Sequence, residues 1–331
     1  MMLHVHFAHP LAPAEQAHLE SLLLPEITLT AGAEPPEPAA YNILVAGRPT
    51  RAQLAASPQL RVLIIPWAGL PPETSALVRD FPHIAAHNLH HNALPVAEMV
   101  IALLLAAAKA IVPMDRALRA HNWTPRYGPN PAILLHGRRA LILGYGAIGR
   151  HVARLCQGLG MTVTATRRTL AAPTTEDGVA LHPAEALPSL LPAADALLIC
   201  LPLTSETEGL IGAAELALLP PHAMLVNVGR GPIVDQAALY AALKSGALHA
   251  AGLDVWYNYP VRQGEADPRA HTPPADYPFH ELDNVVMSPH RAGGLGTAET
   301  EDFRMEQLAA LCNAAAHGEP LPNRVDLDAG Y

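Results

Sequence analysis

Short apolar runs, each bounded by Pro, Gly or polar clusters, punctuate the first part of the chain: Leu3–Phe7, Ile27–Thr30, Asn42–Ala46, Arg61–Ile65 and Ile84–His87. Runs of this length and boundary predict strands. Between them Pro13–Leu24 predicts a helix, and Glu34–Pro38 (EPPEP) reads as a loop. From Val96 to about His121 the chain is apolar on most faces. That pattern predicts one long buried helix connecting two domains, kinked or divided at Pro113. A second series opens after Asn130-Pro131 with strand Ala140–Leu143, helix Ala147–Gly158 and strand Thr162–Thr166. Further strands are predicted at Ala196–Cys200, Met224–Asn227, His249–Asp254 and Val285–Ser288, with a helix at Asp235–Lys244. Val261–His280, rich in Pro, His and acids, predicts a surface loop, and an amphipathic helix at about Ala298–His317 returns the chain. Strands alternating with helices predict an α/β fold.

Composition narrows this picture. Half of the 331 residues are apolar and 15% are charged, enough for two cores. A formal net charge of -9 argues against nucleic acid or an anionic membrane as a partner. Cys156, Cys200 and Cys312 match no metal or disulfide spacing, which suits a reducing, cytoplasmic compartment. The opening MMLHVHFAHP has neither a basic nor an apolar signal region, so no secretory signal is expected. The greasiest run, Met99–Ala108, is too short for a bilayer, which needs about 20 apolar residues. His87, His90 and His91 cluster without a supporting acid or cysteine pattern, so no metal site is expected.

Leu141-Ile142-Leu143 runs into Gly144-Tyr145-Gly146-Ala147-Ile148-Gly149, a GxGxxG between a strand and a helix. Gly144 permits the tight turn, Gly146 lets backbone approach a pyrophosphate, and Gly149 lets helix and strand pack closely. The helix N-terminus offers free N–H groups to phosphate. A dinucleotide cofactor follows from that context. NAD-binding domains usually carry an acid about 20 residues after the glycines, on the ribose 2′-hydroxyl. Here Arg167 and Arg168 stand at that place, 18 residues past Gly149 in the case of Arg167. An arginine pair binds a 2′-phosphate, which favours NADP with NAD still possible; the bland reading is a solvated pair at a strand end.

Asn227-Val228-Gly229-Arg230-Gly231-Pro232-Ile233-Val234-Asp235 puts an arginine just after an apolar strand, able to bind a carboxylate bidentately and polarise a carbonyl. Otherwise it is a buried arginine tying loops together. Ser288-Pro289-His290-Arg291-Ala292-Gly293 puts a histidine at another strand end, suited to proton donation near neutral pH. With Asn92-Ala93-Leu94-Pro95-Val96-Ala97-Glu98, Cys200-Leu201-Pro202-Leu203-Thr204 and Gly252-Leu253-Asp254-Val255-Trp256, these segments resemble the D-isomer-specific 2-hydroxyacid dehydrogenases, in the family's order and over nearly the whole chain.

The resemblance implies a Rossmann doubly wound parallel sheet for the cofactor domain, residues 95–291, and a smaller flavodoxin-like α/β substrate domain from residues 1–94 and 292–331. It implies that Arg230 orients a substrate carboxylate, that His290 is the acid/base, and that Ala68, Gly69 and Asn92 meet substrate, although Asn92 equally suits a helix cap. Leu201, Pro202, Val228, Gly229, Asp254, Ala292 and Gly293 would join the glycine loop around the cofactor, with Asp254 on the nicotinamide side. It further implies a homodimer acting on a small 2-oxoacid or D-2-hydroxyacid such as glyoxylate or hydroxypyruvate.

One position departs from the family. The glutamate that usually pairs with the histidine precedes a proline, and its place before Pro260 holds Tyr259. Tyr259 orients His290 through its hydroxyl or merely packs, or an acid from Glu265, Asp267, Glu281 or Asp283 substitutes. Formate dehydrogenases of the superfamily also lack the glutamate, which keeps hydride abstraction from a small donor as the alternative reaction. A non-catalytic nicotinamide-binding sensor is the alternative from another class.

Overall fold

Continuous apolar runs in a parallel sheet imply burial on both faces, and the runs Ile43–Val45, Ala196–Ile199, Met224–Asn227 and Ala250–Leu253 are buried at every residue. The computed structural model describes residues 2–261, 268–294 and 296–328. The chain divides into two compact units, Met1–Asn92 with Gly294–Tyr331, and Ala93–Gly293.

In the first unit β1 (Leu3–Phe7), β2 (Ile27–Ala31), β3 (Ile43–Val45), β4 (Val62–Ile65) and β5 (Ala85–Asn88) form a parallel sheet ordered β2-β1-β3-β4-β5. This is the flavodoxin-like order. Val5, Phe7, Ile43 and Ile64 pack with Met305, Leu308, Leu311 and Cys312 of the helix Ala298–Ala316. Leu44 and Leu63 face the opposite layer with Leu54, Leu60 and Val78.

In the second unit the strands are β6 (Arg139–Leu143), β7 (Thr162–Thr166), β8 (Thr174–Glu176), β9 (Val179–His182), β10 (Ala196–Ile199), β11 (Met224–Asn227), β12 (Ala250–Leu253) and β13 (Val285–Met287). Their order is β13-β12-β11-β10-β6-β7-β9-β8, and every pairing except β8 with β9 is parallel. Winding reverses between β6 and β10, which is the switch point of a Rossmann sheet. Ligands of such sheets bind outside the carboxyl ends of the strands there.

Two features differ from the sequence expectation. The helix expected to be kinked or divided at Pro113 is divided, into Ala93–Ala108 and Ile111–Arg119 bent by 66°, but the break falls at Lys109-Ala110, before the proline. A proline ring clashes with the carbonyl four residues back, so Pro113 cannot follow unbroken helix through Lys109, and Ala110 turns the chain in the left-handed region with φ 50°. Only the first helix is buried; the second has no buried residue. Among the described residues no single helix is long and apolar enough to cross a membrane. The second difference is the β8–β9 hairpin, which was not expected. Glu176 pairs with Val179 across Asp177-Gly178, both with positive φ (49° and 75°). An Asp-Gly turn of this kind matches the twist of a two-residue hairpin.

Candidate active site

The glycine loop follows β6. Gly144 has φ 95°, and a Cβ placed on Gly149 would lie 2.0 Å from the Gly144 carbonyl oxygen, so helix Ala147–Gly158 approaches the strand as only glycine allows. A Cβ on Gly146 would meet nothing within 4 Å, and no side chain caps the helix start. Backbone N–H groups at an uncapped helix start, beside open space, fit a pyrophosphate. Ala147 and Ile148 open that helix, whereas Tyr145 is buried, with the guanidiniums of Arg150 and Arg167 over its ring at 4.8 and 5.2 Å.

Arg167 follows β7 and makes a 2.8 Å ion pair with Glu176, which also binds Arg150. Arg168 beside it is exposed. Glu176 and Arg150 were not anticipated. The Asp-Gly turn signal was present in the sequence, but Thr-Thr-Glu before it is a polar edge strand without an apolar pattern.

Leu201 and Pro202 follow β10, Val228 and Gly229 follow β11, and Ala292 and Gly293 lie beyond β13, all at carboxyl ends. Arg230 extends from this rim with φ −147°. Its loop is fixed by Asn227, which donates from Nδ2 to the Arg230 carbonyl at 2.9 Å and accepts from Gly229 N at 3.0 Å. Arg230 Nη1 donates to the Gly229 carbonyl at 2.7 Å. A Cβ on Gly231 would sit 2.3 Å from the Trp256 carbonyl oxygen, so the arginine loop lies directly against the segment that carries Tyr259.

Tyr259 reaches His290: Oη and Nδ1 are 2.8 Å apart. The same hydroxyl accepts from Trp256 N at 3.2 Å. His290 is exposed, with a left-handed φ of 58°. Partial withdrawal from water lowers its pKa below the ordinary imidazole value, the Arg230 guanidinium lowers it further, and Asp254 opposes both. Withdrawal from water also raises the Tyr259 phenol, against the lowering influence of Trp256 N–H and Arg230. Arg230 therefore acts electrostatically on both members of the Tyr259–His290 pair.

Asp254, expected on the nicotinamide side, is wholly buried, and its carboxylate accepts from Ser288 Oγ, from Arg291 N at 2.9 Å and from Ala292 N at 2.9 Å. Three donors make the acid a brace for the histidine loop. Trp256 Nε1 adds a bond to the Ser288 carbonyl at 2.8 Å. Of the acids considered as partners for His290, Asp283 pairs with Arg116 at 2.9 Å and Glu281 is exposed, while Glu265 and Asp267 lie outside the described residues.

Ala68, Gly69 and Asn92 belong to the other unit. The Ala68 carbonyl accepts from Asn88 Nδ2 at 2.7 Å, with Gly69 next in the loop after β4. Asn92 Oδ1 is buried without a hydrogen bond, so it does not cap the helix that starts at Ala93. His87 Nδ1 bonds the Pro322 carbonyl at 2.7 Å, and no group of three metal-ligating side chains occurs among the described residues.

Residues 101–292 match the family model described as D-isomer specific 2-hydroxyacid dehydrogenase, NAD binding domain. The chain belongs to this family. A glyoxylate reductase of Korarchaeum cryptofilum is 36% identical over 242 residues, 70% of this chain and 65% of that protein. A D-3-phosphoglycerate dehydrogenase of Mycobacterium leprae is 34% identical over 282 residues, 84% of this chain and 49% of its own length. The chain thus matches less than two thirds of either. A D-isomer specific 2-hydroxyacid dehydrogenase from Xanthobacter autotrophicus, solved with NADPH and MES, covers 100% of both chains at 28% identity with a TM-score of 0.78. At the place where the family resemblance leads to a carboxylate beside the histidine, this chain carries the phenol of Tyr259.

Proposed function

We propose that this protein transfers hydride between NADP(H) and a small 2-oxoacid or D-2-hydroxyacid, with glyoxylate and hydroxypyruvate as the substrate range. The carrying observation is that Arg230 lowers the pKa of His290, which itself lies 2.8 Å from Tyr259, so a cation and an acid/base occupy one rim. The glyoxylate reductase relative and the NADPH-bound neighbour support the reading. Gly144, Gly146 and the N–H groups of Ala147 and Ile148 would hold the pyrophosphate, with Leu201, Pro202, Val228, Gly229, Ala292 and Gly293 beside it; Arg167 and Arg168 would take the 2′-phosphate. When bound, the reduced nicotinamide supplies the hydride.

Arg230 binds the substrate carboxylate and draws electron density from the adjacent carbonyl. As the carbonyl carbon gains hydride, His290 gives its proton to the carbonyl oxygen, and the reverse reaction returns it. Tyr259 holds the ring at Nδ1: its hydroxyl accepts from Nδ1–H of the imidazolium and of the neutral ring left once the Nε2 proton has passed to the carbonyl oxygen. A phenol stabilises imidazolium less than a carboxylate does, so His290 titrates at lower pH than with a glutamate partner. In this reading residues 1–94 and 292–331 form the smaller domain, which carries Ala68, Gly69 and Asn92, and residues 95–291 bind cofactor.

The active species is a homodimer. Ile111, Leu118, Trp123, Tyr127 and Leu134, all at least half exposed within one stretch of the second unit, are the side chains this reading assigns to the interface. The function is tested by NADPH oxidation with glyoxylate, hydroxypyruvate or pyruvate, with formate and NADP+ as the competing reaction. Turnover of a 2-oxoacid supports the proposal; turnover of formate alone replaces it.

A further inference from the structure

The arginine that reads the cofactor's 2′ position is already engaged. Glu176 ends β8 and bridges two guanidiniums, Oε2 to Arg167 Nη2 at 2.8 Å and Oε1 to Arg150 Nη1. Both guanidiniums also lie over the buried Tyr145 ring, in the middle of the glycine loop. The hairpin that carries Glu176 is held beside Arg167 by the backbone: Arg167 N donates to the His182 carbonyl of β9 at 2.9 Å. All three charged side chains are only partly exposed, between 23% and 37%. Their charges are therefore screened less than those of a pair in open water. The cluster has two cations and one anion, so it presents less positive charge than its arginines suggest.

We propose that Glu176 sets how strongly this protein prefers a phosphorylated nicotinamide dinucleotide, because its carboxylate competes with the 2′-phosphate for Arg150 and Arg167. This rests on the cofactor reading above and deepens it. A phosphate monoester carries about −1.5 to −2 charges at neutral pH. To reach Arg167 it must displace the carboxylate or share the guanidinium with it, and like charges oppose sharing. An unphosphorylated ribose brings no such charge and leaves the bridge intact. Arg150 acts on the same balance from the other side. By taking one carboxylate oxygen it frees part of Arg167, and once Glu176 moves it is a second cation for the phosphate. Glu176 thus lowers discrimination for the phosphorylated cofactor, and Arg150 raises it.

The test titrates the wild-type chain, Glu176→Gln and Arg150→Gln with NADPH and with NADH, reading binding from nicotinamide fluorescence without substrate. Charge-assisted hydrogen bonds contribute enough for about a tenfold change or more in affinity. Glu176→Gln should raise the NADPH-to-NADH affinity ratio about tenfold, and Arg150→Gln should lower it by a similar factor. A role confined to bracing the hairpin would move both affinities together and leave the ratio fixed. An unchanged or lowered ratio in Glu176→Gln, or a raised ratio in Arg150→Gln, overturns the proposal. If the wild-type chain binds neither nucleotide, the cofactor reading fails and takes this proposal with it; normal binding with an unmoved ratio removes the proposal alone.

Discussion

His290 gathers the chemistry into one titration. Its pKa lies below the ordinary imidazole value through partial desolvation and then through Arg230, so near pH 7 the ring is mostly neutral. In the proposed reaction, reduction needs the protonated ring. Its kcat/KM should therefore rise as pH falls, with the half-point below about 6.5. A substrate carboxylate on Arg230 cancels the second cause, so the corresponding limb of the kcat profile should lie at higher pH. Tyr259→Glu restores a carboxylate beside the imidazole and should move the kcat/KM limb alkaline by about 1–3 units. A pH-rate series on the two proteins reads this directly; identical limbs would show that Tyr259 only packs. Tyr259→Phe keeps the ring and loses the 2.8 Å bond, and should lower kcat with little change in NADPH affinity.

At the scale of elements, the glycines join loops that no single segment could align. Gly231→Ala would press a methyl group against the Trp256 carbonyl, at 2.3 Å before any relaxation. Overpacking of this kind costs about 1–3 kcal/mol, and here it also displaces Arg230 from the Tyr259 segment. Thermal denaturation should show the lost stability, and kinetics a rise in KM for the oxoacid. The legible elements were those whose apolar runs are buried on both faces. β11 occupies Met224–Asn227 as an unbroken buried run, and β1 and β7, at Leu3–Phe7 and Thr162–Thr166, alternate buried apolar residues with His or Thr. What escaped the pattern had no apolar signature. β8 is Thr174-Thr175-Glu176 on a sheet edge, and the helix break at Lys109-Ala110 precedes the proline responsible for it. Motifs single out Arg230 and His290 as the candidate residues of the site. The hydrogen bonds that hold Asp254 and the Glu176 bridge escape any motif, because both depend on which loop lies opposite.

For the whole molecule, each of the two units closes its own core, the first from both ends of the chain and the second from its middle. Trp123 and Tyr127 are 60% and 82% exposed on the second unit, a poor arrangement for a lone chain in water. Sedimentation should give about twice the 35.1 kDa chain mass, and a Trp123→Glu, Tyr127→Glu double variant should shift it toward one chain. A wild-type monomer would show that this surface serves another purpose. The reaction itself is decided by a single comparison: NADPH oxidation by glyoxylate in wild-type protein and His290→Ala, with NADPH binding measured in both. The expected result is a fall in kcat of several orders of magnitude at unchanged NADPH affinity. A variant that turns over glyoxylate as fast as the wild type would contradict the assignment of His290 as proton donor.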